Sequence, residues 1–126
     1  MKKAIIILSV VCSNFIFGQN TLSEKETNFV KMSEDRTLLE IKLAQLAQTN
    51  ASSMEVKNLA STLLNDHTKA SGELQQLAVK KNINLSTQLS AKSQKYYDKM
   101  AMKQGKEFDK SYTNVLRNRI RWELVI

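Results

Sequence analysis

An all-α helical bundle is the fold class this sequence predicts, and three observations predict it. The 126 residues contain no proline and only three glycines, so few positions interrupt a helix. Hydrophobic residues make up 42% of the chain but aromatic residues only 6%. Such a Leu, Ala, Val and Met core suits helices better than strands, which use β-branched and aromatic residues. Apolar residues also recur at steps of three and four over long stretches, the period of an amphipathic helix. One core is expected, because a chain of this length has room for a single domain.

The first segment is not part of that bundle. Lys2 and Lys3 give a positive start, Ala4 to Phe17 is an almost unbroken apolar run, and Gly18-Gln19 supplies a small residue followed by a polar boundary. This pattern predicts a signal peptide over residues 1–19, cleaved near Gly18 or Gln19. The run of about 14 residues is shorter than the about 20 that a spanning helix needs. A lipoprotein reading would use Cys12, but Val11 precedes it where a small residue is wanted. Because Cys12 is the sole cysteine, the bundle domain over 20–126 has no thiol for a disulfide, a zinc-thiolate site or a nucleophile.

Ser23 and Glu26 have the spacing of a capping box and predict the start of helix one. Phe29, Val30, Met32, Leu38, Leu39, Ile41, Leu43, Leu46 and Ala47 then supply an apolar face, which fades at Thr49-Asn50. A second box, Ser52 with Glu55, predicts helix two. Its face runs through Val56, Leu59, Ala60, Leu63, Leu64, His67, Ala70, Leu74, Leu77 and Ala78. It is expected to end near Lys80-Lys81, where cations suit the negative end of the helix dipole. Residues 82–89 read as a polar connection, and short connectors imply antiparallel neighbours. From Ser90 the lysines Lys92, Lys95, Lys99, Lys103, Lys106 and Lys110 recur at steps of three or four. They predict a third helix over 90–116, kinked at Gly105, with all six lysines on one face and Tyr97, Met100, Ala101, Phe108, Tyr112 and Val115 opposite.

Several of these residues resemble a known family. Phe29-Val30, Leu39-Glu40-Ile41 and Ala44-Gln45-Leu46-Ala47 fit its first helix. Glu55-Val56-Lys57, Asn65-Asp66-His67-Thr68-Lys69-Ala70 and Glu73-Leu74 fit its second, and Gly105, Phe108-Asp109 and Tyr112 extend the match. Over roughly 29–116 the chain is similar to the ferritin-like family catalogued as domain of unknown function 4142. The resemblance implies a bacterial envelope protein, periplasmic or outer-membrane associated, with a ferritin-like up-down four-helix bundle and no established activity. Two departures stand out: Arg119-Ile120 occupies the place of an Asp-His pair usual in the family's third helix, and the sequence stops at Ile126 before a fourth. The expectation is therefore three long helices of four, from a truncated or frame-altered end. An uncovered apolar groove would then favour self-association or marginal stability.

Candidate chemistry is sparse. His67, the only histidine, would join Glu40, and with it Asp66 or Glu73, in a divalent-metal site. No Glu-x-x-His step is present, however, and the plainer reading buries His67 against a neighbouring helix with Asp66 facing solvent. The lysine stripe suits anionic lipid head groups or lipopolysaccharide phosphates, although a solvated helix face also explains it. Residues 92–126 hold nine Lys/Arg against four Asp/Glu, whereas residues 20–91 hold eight of each. Nucleic acid is set aside despite a pI near 9.6, because export removes the chain from it and no recognition motif occurs. Tyr97, Phe108 and Tyr112 are expected in the core rather than in a stacking surface with Tyr96 and Trp122. With no Gly-x-Ser-x-Gly elbow and no phosphate-cradling loop, no enzyme activity is expected. The leading expectation is a non-enzymatic envelope module that contacts a protein or a surface and has no cofactor. A divalent-metal bundle and a non-functional truncated relative are the alternatives.

Overall fold

The computed structural model describes residues 22–123, with side chains through Asn118. The leader expected over 1–19 and the side chain of Trp122 lie outside the described residues. Four helices follow one another, α1 (Glu24–Asn50), α2 (Met54–Lys80), α3 (Ala91–Ala101) and α4 (Gly105–Glu123), and no strand occurs among the described residues. The all-α expectation holds. The expected count of three long helices does not: two helices have 27 residues each, and the predicted third is divided into pieces of 11 and 19.

Local chemistry explains most of the helix ends. At the start of α1 the Ser23 hydroxyl accepts the Glu26 N–H at 3.3 Å and the Glu26 carboxylate accepts the Ser23 N–H at 2.8 Å, completing the capping box. The α2 cap is Ser53, one residue later than Ser52; its hydroxyl accepts the Val56 N–H at 3.3 Å. The shift has a tertiary cause. Asp109 of α4 takes the Ser52 hydroxyl at 2.6 Å, the Ser52 N–H at 3.1 Å and the Ser53 N–H at 3.0 Å, so Ser52 serves a different partner. At the other end of α2, Ile83 donates its N–H to the Ala78 carbonyl at 2.8 Å and Asn82 to Val79 at 3.1 Å. This is a Schellman closure with Asn82 at φ 56°.

The third predicted helix breaks because its carbonyls find another partner. The side-chain amide of Asn50, at the end of α1, donates to the carbonyls of Lys103 at 2.8 Å and Ala101 at 3.3 Å. Gly105 then takes φ 61°, a left-handed conformation that opens α4 in a new direction. Glycine here reverses the chain rather than kinking a continuous helix.

Cross-helix contacts fix the directions. Ser71 meets Glu34, His67 meets Glu40, and Gln48 reaches the Lys57 carbonyl, so α2 returns antiparallel to α1. Asp35 accepts from Ser90 and Ser93 at the start of α3, while Asn50 holds its end, so α3 runs parallel to α1. α4 starts beside Ser52 and carries Tyr112 and Leu116 back towards Glu40, antiparallel to α1. The result is an up-down-up-down bundle in which α1 packs against each of the others.

The core sits around the C-terminal half of α1. Ala44, Ala47 and Ala51 are buried with Ala60 and Val56 of the α2 segment, small side chains that let the backbones approach closely. Met100, Phe108 and Tyr112 fill the space from α3 and α4, and the Phe108 and Tyr112 rings stack with centroids 5.7 Å apart. Phe108 and Tyr112 are thus core, as their spacing predicts, with Tyr97 packed partly buried against them.

Candidate functional site

Two polar regions stand out against this core. The first lies between α1 and α2. His67 Nε2 is 2.9 Å from Glu40 Oε2, with Glu40 buried and His67 partly so. Asp66 and Glu73 are exposed and do not join them. Among the described residues no three His, Cys, Asp or Glu side chains converge on a point where a metal ion would sit. The space beside the pair, bounded by Leu43, Leu63 and Tyr112, is about 10 Å³, at the lower bound for one water molecule. Burial pushes the hydroxyl of Tyr112, one of the residues that bound this space, up to about 12. With two donors among the described residues and little room beside them, the site does not fit a ferritin-type metal centre, which needs several carboxylates around the ion.

The same seam continues towards the other end of the helices. Glu34 is 1% exposed, and its Oε1 accepts from the Ser71 hydroxyl at 2.7 Å and the Gln75 amide at 3.0 Å. His67, Ser71 and Gln75 lie at four-residue steps and present one polar line to Glu40 and Glu34 of α1. Glu34 was not legible from periodicity. Steps of three and four back from the buried Ala47 and Ala44 reach Glu40, but Glu34 lies six residues earlier, about 120° round the helix, so neither the phase nor its charge places it inside. The Glu34 carboxylate, held through one oxygen by two hydrogen bonds, joins Glu40–His67 and Gln48–Lys57 in setting the register of two helices that also meet through Leu43, Val56 and the buried alanines.

The second region is cationic. The chain reversal at Met102–Gln104 divides the six-lysine stripe: Lys92, Lys95 and Lys99 stay on α3, Lys103 lies in the turn and pairs with Glu107, and Lys106 and Lys110 ride on α4. The expected single face across all six lysines does not exist, because the helix that would carry it is two helices running in opposite directions. Instead, Lys92, Lys95 and Lys99 line a cleft of about 590 Å³ between α1, α3 and α4 together with Arg36 of α1. Leu39, Tyr96 and Val115 supply its apolar surface, and Ser93 and Asn118 its remaining polar groups. Among the described residues no carboxylate lines the cleft, and none of the four cations is in an ion pair.

Asp35, which lines an adjoining groove that shares Arg36, Leu39, Lys92 and Ser93 with this cleft, is already engaged. It accepts from the Ser90 N–H at 2.6 Å, the Ser93 hydroxyl at 2.6 Å and the Ser90 hydroxyl at 2.9 Å. Burial pushes the Asp35 carboxyl up, but these hydrogen bonds from Ser90 and Ser93 outweigh it and hold the group below its ordinary range. Asp35 therefore anchors α3 on α1 and sets the spacing of the cleft. Periodicity alone does not reveal Arg36, Leu39 or Val115 as partners of the α3 lysines, since they come from other helices.

No curated protein and no solved structure matches the chain. The sequence profile of one family, described as Domain of unknown function (DUF4142), matches residues 17–119. That span takes in all of α1, α2 and α3, most of α4, the polar seam and the whole basic cleft, and on it the chain belongs to the family of Domain of unknown function (DUF4142).

Proposed function

We propose that this protein is an exported, non-enzymatic envelope module of ferritin-like ancestry that contacts anionic surfaces through the basic side of α3. Residues 1–19 act as a cleaved signal peptide, which delivers the bundle to the periplasm or the outer membrane. The observation that carries the reading is the cleft itself: Arg36, Lys92, Lys95 and Lys99 converge from two helices with no carboxylate among the described lining residues. Clustered cations raise the local potential and attract phosphate-bearing surfaces. No helix of the described residues is long and apolar enough to cross a membrane, so attachment by contact rather than by a span suits them.

Vesicle flotation tests the reading. Binding is expected to vesicles containing anionic lipid, to weaken as salt rises because exposed charges are screened, and to be absent with neutral vesicles. Equal failure with both compositions sinks it. Mass spectrometry of the mature N-terminus tests the export component, with cleavage near Gly18 or Gln19 expected and acylation at residue 12 contradicting it.

A divalent-metal role for Glu40 and His67 ranks second, favoured only by their approach to 2.9 Å. Calorimetric titration with iron, zinc and manganese that gave heat in the wild type and none in His67→Ala would reverse the ranking.

A further inference from the structure

We propose that the cleft between α1, α3 and α4 takes up one amphiphilic anion, a single alkyl chain ending in a phosphate, with the headgroup among Lys92, Lys95, Lys99 and Arg36 and the chain against Leu39, Tyr96 and Val115. The inference rests on the anionic-contact reading above and adds to it a ligand held singly in a pocket.

Three observations carry it. The first is volume: at about 590 Å³ the space lies in the ordinary range of small-molecule sites, roughly 300–1,000 Å³. The second is charge. Lys92, Lys95 and Lys99 occupy adjacent turns of one helix, where like charges at three- and four-residue steps repel. With Arg36 lining the same cleft and no ion pair to a described residue, a bound anion relieves that repulsion. Arg36 offers a planar fork that grips phosphate through two donors, and the lysines act as point charges around it. The third is the surface between the cations. A merely solvated lysine face needs no apolar partners, yet here Leu39 and Val115 line the same cleft as the cations. Lysine stems extend that apolar surface while their ammonium groups stay hydrated. Inorganic phosphate would leave the apolar part uncovered, and a neutral lipid would leave the cations unpaired.

The test uses the full mature chain and dodecyl phosphate kept below its micelle-forming concentration, followed by calorimetry. Saturable binding at one ligand per chain is expected, with inorganic phosphate and dodecyl glucoside each weaker by about tenfold or more. The double variant Lys95→Glu/Lys99→Glu is expected to lose binding by a similar factor. Lys106→Glu/Lys110→Glu carries the same change of net charge outside the cleft and is expected to retain it. Val115→Asn is expected to weaken dodecyl phosphate binding while leaving inorganic phosphate binding unchanged, an equal effect on both counting against the apolar contact, and circular dichroism confirms that each variant is folded.

The proposal is overturned if dodecyl phosphate binds without saturation, if dodecyl glucoside binds equally well, or if both lysine pairs reduce binding alike. Should anionic vesicles bind while the monomeric amphiphile does not, the pocket falls and the surface reading stands. If neither binds, both fall.

Discussion

Asn82 closes α2 in a left-handed conformation that costs most side chains about 1–2 kcal/mol. Asparagine and glycine tolerate it best. Asn82→Ala is therefore expected to destabilise the protein by about 1 kcal/mol, with Asn82→Gly near neutral, as read by melting temperature; a shift of about 4–8 °C accompanies each kcal/mol in a domain of this size. Tyr112 gives a second prediction at this scale. Burial lifts its hydroxyl to about 12, whereas in the unfolded chain it titrates near 10. A group with a raised folded pKa contributes stability that is complete below the unfolded value and is lost as pH rises towards the folded one. Stability is accordingly expected to hold up to about pH 10 and to decline between about 10 and 12. Absorbance titration at alkaline pH should show Tyr112 as the last tyrosine to ionise, after Tyr96, whose hydroxyl burial also raises, and Tyr112→Phe should remove that last step.

Two glycines have opposite roles within the helices. Gly72 is exposed in the middle of α2, and a methyl group placed there meets nothing within 4 Å. Alanine reduces the backbone entropy lost on folding, so Gly72→Ala is expected to stabilise by about 0.5–1 kcal/mol. Gly105 has equal space around it, but its φ of 61° does not suit a side chain. Gly105→Ala is expected to destabilise by about 1 kcal/mol or more, and thermal melts of the two variants should move in opposite directions. The reading of helix three as one piece fails at this same point. Its apolar phase carries through Gly105, and nothing local announces that Asn50, over fifty residues earlier, will take the carbonyls of Ala101 and Lys103. The cap of α2 moves from Ser52 to Ser53 for a similar reason, because Asp109 arrives from α4.

Across the whole molecule, two aspartates tie the helices together. Asp35 of α1 holds the start of α3, and Asp109 of α4 holds the start of α2. The Ser52 hydroxyl does most to hold Asp109 below its ordinary range; the N–H groups of Ser52 and Ser53 and the charge of Lys57 add to this. Asp35 is lowered as well. For a depressed carboxylate the contribution to stability is present above the unfolded pKa, about 3.9, and is lost as pH falls through the folded value. Acid unfolding is expected to begin below about pH 4. Asp35→Asn and Asp109→Asn should each lower the melting temperature at neutral pH and flatten its dependence between pH 4 and the acid limit, as differential scanning calorimetry would read. A parallel loss at every pH would argue against the two carboxylates as the source.

The all-helical class, the Ser23 cap, the Lys80 end of α2 and the core placement of Phe108 and Tyr112 are determined by sequence alone, because each rests on interactions within a few turns or on a period that burial must follow. The approach of His67 to Glu40 was also within reach, since both fall in the apolar phase of their helices. Only the tertiary structure decided the chain reversal at residues 102–104, the buried Glu34 with Ser71 and Gln75, and the cleft that unites Arg36 with the lysines of α3. Each of these depends on a partner from a distant helix, and periodicity encodes which face of a helix is buried but not which helix it meets.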